Sequence, residues 1–476
     1  MKSKLSTCLV LVLTAALLLG ISACGTTPSS SPTPSANPTA APSDSAPATS
    51  PSAAASPEAS ADTSALPDQP VTIKFLSNNT DRTAAAGIVE QQIMDAYTKL
   101  HPNVTFNLET LADVDAQTKM QAYTSAGTLP DLFVCWGTPS YFMPLIQADL
   151  VQPLNPADYA SYGFNGGSFD NFTFNGQLYG LPRSQDIMIF YYNKALFDQV
   201  GAQVPKTLED MLALAKTFND AGIIPCAGDG KDMWPQALMY QDLCMKASGN
   251  QQILTDATIN QKTTFSTDPS ILKATDYLKS LIDNKFFQSS FLTSDYTASQ
   301  ALFTSGKAAM YYGGDWDESM AVNTDLPQDF RDNIGVFYTP PFADGPAKAT
   351  DVMAWNGGGI AMAKNSDPAV KAYCLDFINY MMKPDNWAKM GWQGGYFTAA
   401  QDVSQFMTGN ESALQVTIAQ MMSGTTSQSG IDWYDLAAKA YFSPLVSAMQ
   451  EFFTGQQSTA DFLKQMDSLT PIALGN

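Results

Sequence analysis

Histidine is almost missing from this chain: His101 is the only one in 476 residues. Catalysis of the Ser-His-Asp or Cys-His kind would rest on that one side chain. It stands at the end of a predicted helix, before Pro102, where capping or solvation is the plainer role. Cysteine is sparse and scattered, at Cys8, Cys24, Cys135, Cys226, Cys244 and Cys374, with no CxxC pair. With a single histidine beside them, no metal site is expected. Basic residues are few: 25 Lys and Arg stand against 45 Asp and Glu. That balance repels nucleic acid and offers no polybasic attraction to lipid head groups. There is no GxSxG elbow and no EF-hand spacing, and Gly228-Asp229-Gly230-Lys231 lacks the spacing of a P-loop. No cofactor is expected.

Residues 1–23 have Lys2 and Lys4, then an apolar run, then small residues. The run is short for a membrane span, which needs about 20 apolar residues, and the layout is that of a secretory signal peptide. Ile21-Ser22-Ala23-Cys24-Gly25 resembles the bacterial lipobox. The resemblance implies cleavage before Cys24 and acylation of its thiol, a palmitate-type anchor that stays stable with two or more chains. Residues 24–70 are almost wholly Pro, Ser, Ala and Thr, with Leu66 the one large apolar residue. Such a segment cannot bury enough surface to offset its ordering entropy, so it is expected to be a disordered stalk. As a flexible coil it would span roughly 40 Å.

From Val71 the composition changes. Val71, Ile73 and Phe75 alternate as on a strand; Val89, Ile93, Tyr97 and Leu100 have helical spacing. A strand at Val104, Phe106 and Leu108, a helix over 114–126 and a buried strand at 132–136 follow. This β-α-β-α-β order argues for a mostly parallel sheet covered by helices. Thr207 with Asp210 reads as a capping box, and Asp268-Pro269 and Asp367-Pro368 as helix starts. No repeat and no second linker appear after residue 70, so 71–476 is one α/β unit, large enough to need two lobes. Cys226 and Cys244 are either a disulfide, which export permits, or two small buried residues.

Six blocks then line up in order. They are Pro130-Asp131-Leu132-Phe133 before Trp136; Ala148-Asp149-Leu150-Val151-Gln152-Pro153-Leu154; and Tyr179-Gly180-Leu181-Pro182 with Tyr191-Tyr192-Asn193-Lys194-Ala195-Leu196-Phe197. Phe303-Thr304-Ser305-Gly306-Lys307-Ala308-Ala309-Met310, Gly314-Asp315-Trp316 and Gly357-Gly358-Gly359-Ile360-Ala361-Met362 follow. Together they resemble the extracellular solute-binding proteins of family 1, carbohydrate-binding subunits of ABC importers related to maltose-binding protein. The resemblance implies a type II periplasmic-binding-protein fold: two α/β lobes, a hinge and an interlobe cleft. It places one lobe at about 71–180 plus 345–390 and the other at about 181–344 plus 391–476. It also implies a monomer that hands its ligand to membrane permease subunits, and the lipobox with its stalk points to the outer face of a Gram-positive cell.

A pyranose has an apolar face that aromatic rings cover and a rim of hydroxyls that short polar side chains fix. Trp136 ends a predicted strand, and Trp316 follows Gly314-Asp315; both match stacking positions of the resembled family, against core packing as the competing role. Asp186 lies where family members place a sugar-binding acid. Asn79 and Asp81 lie on the first strand-to-helix loop, with capping as the rival. Asp315, Trp234, Tyr240, Trp355, Asn356, Trp392 and Tyr396 complete the candidate ligand set, each at a predicted loop or helix start. The enzymatic alternative is glycoside hydrolysis by paired carboxylates, Asp315 with Asp317 or Asp229 with Asp232. With 45 acids, close pairs are inevitable, and binding without bond chemistry is the reading carried forward. A sensory or adhesion lipoprotein on the same fold is the other alternative.

Overall fold

The computed structural model describes residues 66–475; the leader, Cys24 and nearly all of the 24–70 stalk lie outside the described residues. The strand Val71–Ser77 buries Val71, Ile73 and Phe75 and exposes Thr72 and Lys74, as the alternation requires. It pairs in parallel with Val104–Thr110 on one side and Leu132–Trp136 on the other. Gly358–Met362 enters antiparallel beside Leu132–Trp136, and Leu181–Pro182 completes the five-stranded sheet. The helices Ala85–Leu100, Pro139–Gln147, Pro368–Met381 and Trp387–Gly394 contribute Tyr97, Phe142, Phe377 and Trp387 to its core.

A second sheet runs in the order Ile334–Phe337, Gln185–Asn193, Ala308–Gly314, Ile224–Ala227. Its first three strands are antiparallel, and the last is parallel to its neighbour. Its helices begin where the sequence sets stops and starts. Thr207 and Asp210 form the capping box of Leu208–Asp220, and Asp268 caps Pro269–Asp283 through the N–H groups of Ser270 and Ile271. In the first lobe Asp367 caps Pro368–Met381 in the same manner. Each such cap contributes about 1 kcal/mol. The helix Trp234–Ser248 is enclosed on every side, with both Tyr240 and Lys246 buried.

The two sheets have separate cores, and the chain passes between them three times. Leu181 packs in the first core and Ile187 in the second; Ala354 in the second and Ile360 in the first; Phe406 in the first and Leu414 in the second. The first two passages lie side by side, because Ala354–Asn356 pairs antiparallel with Gln185–Ile187. These paired crossing strands form the hinge of a two-lobed type II periplasmic-binding-protein architecture. Packing divides the chain at other points than the family resemblance implied. Trp392, Phe397, Ala399 and Phe406 lie in the first core, and Met353 and Ala354 in the cores of the second sheet. The aromatic run after Trp387 packs on its own helix, which belongs to the first lobe.

Cys135, Cys226, Cys244 and Cys374 are buried and free, so Cys226 and Cys244 serve as small core residues. His101 caps the helix Ala85–Leu100, its N–H donating to the Tyr97 carbonyl and its ring 4.5 Å from that of Tyr97. Among the described residues no helix is long and apolar enough to cross a membrane, and no His/Cys/Asp/Glu group has the arrangement of a metal site.

Candidate functional site

Between the two cores lies a cavity of about 850 Å³ lined by both lobes and by the hinge. Five tryptophans line it, of which Trp387 is buried in the first core and the other four form its walls. Trp136 closes the strand Leu132–Trp136 on the first-lobe side and meets Tyr141 edge-on at 5.1 Å. Trp234, Trp316 and Trp355 form a continuous wall on the second-lobe side: Trp234 is 6.0 Å from Trp316, and Trp316 is 6.3 Å from Trp355. Trp316 lies flat on Gly314, whose absent side chain leaves the ring its place. A Cβ there would stand 2.2 Å from the indole carbons.

Polar side chains fill the ends. On the first lobe, Arg183 Nη2 donates to Asn78 Oδ1 at 2.8 Å, and Asn78 Nδ2 donates to Asp113 Oδ1 at 2.9 Å. Asn79 Nδ2 donates to the buried Glu90, which also pairs with Arg82 and, at 3.5 Å, with Arg183. Asp81 lines the cavity, but its carboxylate accepts from the N–H and hydroxyl of Thr83. Those bonds hold its pKa below the usual carboxylate range and make it the cap of its own turn. Asp186, in the hinge strand opposite Trp355, is only 6% exposed, and its Oδ1 has no partner among the described residues. Burial pushes its pKa up to about 6. Asn356, next along the hinge, donates to the Gly167 carbonyl. Tyr396 and its neighbour Phe397 also reach the cavity.

Three candidates stand away from it. Asp315 is turned inward, where its Oδ1 accepts from the Ile187 N–H at 2.9 Å and ties the hinge strand to the following loop. Tyr240 lies in the second core, its hydroxyl 2.8 Å from that of Thr275, because the buried helix turns it away from Trp234. Trp392 packs in the first core one turn before Tyr396, with its N–H on Glu411. Sequence reasoning missed the C-terminal contribution of Asp432, Tyr434, Asp435 and Lys439. Asp432 is 6% exposed with Oδ1 unpartnered, and its pKa is raised by burial and by Asp435 and Asp186 nearby. Asp435 accepts from the Ser140 hydroxyl at 2.9 Å, and burial lifts its pKa to about 6. Lys439 sits over the Tyr141 ring at 5.3 Å. The Ser140–Asp435 bond and the Lys439–Tyr141 contact join the two lobes. The signal in sequence was the Asp432-Trp433-Tyr434-Asp435 run, acids flanking two aromatics.

The arrangement can stack apolar ring faces and accept or donate hydrogen bonds around them. The carboxylates weighed as catalytic pairs hold structural bonds: Asp315 to Ile187, Asp317 to Tyr296 and Gln300, and Asp229 to the N–H of Asp232.

The family described as bacterial extracellular solute-binding protein matches residues 92–416. The multiple sugar-binding protein of Streptococcus mutans is 22% identical over 316 residues, covering 66% of this chain and 71% of that one. A protein solved in a study of xylan utilization by the thermophilic bacterium Caldanaerobius polysaccharolyticus superposes with a TM-score of 0.76 at 24% identity. That match covers 84% of this chain and 99% of the other. A chitin oligosaccharide binding protein superposes with a TM-score of 0.74 at 21% identity, covering 86% and 100%.

Proposed function

The chain belongs to the bacterial extracellular solute-binding proteins, and from that premise we propose that it captures a sugar, an oligosaccharide, between its lobes and delivers it to an ABC importer. The observation that carries this reading is the tryptophan-walled cavity, with Trp136 facing it from one lobe and Trp234, Trp316 and Trp355 from the other. Pyranose faces stack on indole, and flat rings on both sides suit a chain of sugars better than a compact ion. The rim needs donors. Asp186 and Asp432 each hold a buried carboxylate oxygen without a partner among the described residues, and sugar hydroxyls can donate to their carboxylates. Six aspartates line the cavity against two cations, Arg183 and Lys439, and Arg183 already donates to Asn78 and pairs with Glu90. An uncharged glycan therefore suits the cavity, and a uronate does not. The relatives named above for sugars point the same way.

In this reading residues 1–23 direct export, Cys24 is acylated, and residues 24–70 hold the module away from the membrane of a Gram-positive cell. The protein works as a monomer without bond chemistry: it closes on the sugar and docks on the permease. The test is a thermal-shift screen of the protein against neutral oligosaccharides and one oligogalacturonide. A ligand bound only by the native state adds about 2.7 kcal/mol at a hundredfold excess over Kd. The expected result is a shift with one neutral glycan class and none with the uronate. Trp136→Ala and Trp316→Ala should each weaken binding by about 2 kcal/mol, roughly thirtyfold. No shift with any glycan would reject the carbohydrate reading.

A further inference from the structure

Trp316 is held by a residue that does not line the cavity. Its indole Nε1–H donates to the Tyr296 hydroxyl at 2.7 Å. An indole nitrogen only donates, so the tyrosine oxygen accepts and must send its own proton onward. The receiver is Asp317 Oδ2 at 2.5 Å, while Gln300 Nε2 donates to Asp317 Oδ1 at 2.7 Å. The chain of bonds has one direction, from Trp316 to Tyr296 to Asp317. The Tyr296 ring also stacks on Trp234, with centroids 5.4 Å apart and planes 26° apart. One side chain thus touches two of the three tryptophans of the second-lobe wall, through its ring and its hydroxyl. Gly314 lies against one face of the Trp316 ring. The indole has two side-chain torsions, and these contacts leave it one orientation before any ligand arrives.

We propose that Tyr296 is a positioning residue of the binding site: its hydroxyl, anchored on Asp317, fixes the plane on which Trp316 receives a sugar ring. This rests on the carbohydrate reading, and it also assigns Asp317 a structural duty in place of a ligand or catalytic one. Ligand affinity then depends on Tyr296 only through Trp316.

The experiment is a double-mutant cycle on the full-length protein with Tyr296→Phe, Trp316→Ala and the double variant. Phenylalanine keeps the ring against Trp234 and removes only the hydroxyl. The probes are maltotriose, xylotriose and triacetylchitotriose, titrated calorimetrically, with intrinsic tryptophan fluorescence of the free protein recorded alongside. Tyr296→Phe is expected to weaken binding about tenfold, the loss of one networked hydrogen bond. In the Trp316→Ala background it should change affinity less than twofold, because the group it orients is gone. The free protein's emission should shift on Tyr296→Phe and not when Trp316 is already absent. An equal loss in both backgrounds, or no loss in the first, overturns the proposal and leaves the carbohydrate reading standing. If no probe binds the unaltered protein, none of these three sugars is its ligand. The fluorescence difference then decides whether Tyr296 holds Trp316, and an unchanged emission overturns that.

Discussion

A Cβ placed on Gly357 would stand 1.7 Å from Asp186 Oδ2, so the Asp186 carboxylate lies directly against the hinge backbone. Gly357→Ala should expel that carboxylate from its place beside the cavity. We expect glycan affinity to fall at least tenfold, with little change in the melting temperature. Calorimetric titration beside a thermal melt checks both. Which single residues face a cavity is the least legible part of the sequence. Trp136 was readable because it ends a strand, and Trp316 because it follows one by two residues. Asp315 and Asp317 are near neighbours of like chemistry, and only the third dimension shows that one serves the Ile187 N–H and the other Tyr296. Tyr240 and Trp392 were misplaced for a related reason: each lies a turn or two along a helix from a residue that does reach the cavity. Asp432 and Asp435 were overlooked because their partners, Asp186 and Ser140, lie far away in the chain.

Among the elements, the helix Trp234–Ser248 carries the least expected load. Lys246 is fully buried and donates to the carbonyls of Lys348, Ala349 and Asp351, with Asp242 at 4.0 Å. Burial lowers its pKa, and the two aspartates oppose that shift. The ammonium thereby pins the segment that leads directly into the hinge strand Ala354–Asn356. Lys246→Met should strand Asp242 and three carbonyls in the interior, destabilising the fold by about 3–5 kcal/mol. The midpoint of urea denaturation measures it. In sequence this lysine reads as a solvated one, since long charged side chains are almost never enclosed unless paired. Capped helices fared better: Thr207, Asp268 and Asp367 announce their helices by local chemistry alone. The parallel order of the first three strands was legible for the same reason, because alternation and helical spacing are local patterns.

For the whole molecule, the two-lobed class could be read from six ordered blocks, whereas the lobe boundaries could not. No local signal says which core the aromatic residues after Trp387 will join. The interior also has an acid–base character of its own. Burial holds Asp186 and Asp435 at about 6, Asp229 and Asp317 at about 7, and Glu318 at about 8. A carboxyl that binds its proton more tightly folded than unfolded contributes stability that is whole below its unfolded value, about 4. That contribution is lost as pH rises through the folded value. Glu411 works oppositely: the Thr408 backbone N–H holds it at about 2, so its contribution is lost only as pH falls through that value. The melting temperature should therefore climb as pH is lowered from 8 to 5, then drop in stronger acid. A calorimetric pH series checks it, and a flat profile between 5 and 8 would mean these acids ionise freely. The threefold passage of the chain between its cores has a consequence for biogenesis. The strand Gly358–Met362 lies inside the first sheet, between Leu132–Trp136 and Leu181–Pro182. A ribosome that has made the first 350 residues has therefore not yet made an interior strand of the first lobe's sheet. Until it does, the nascent polypeptide carries an open sheet edge that invites wrong pairing, and the molecule must mature late and nearly all at once.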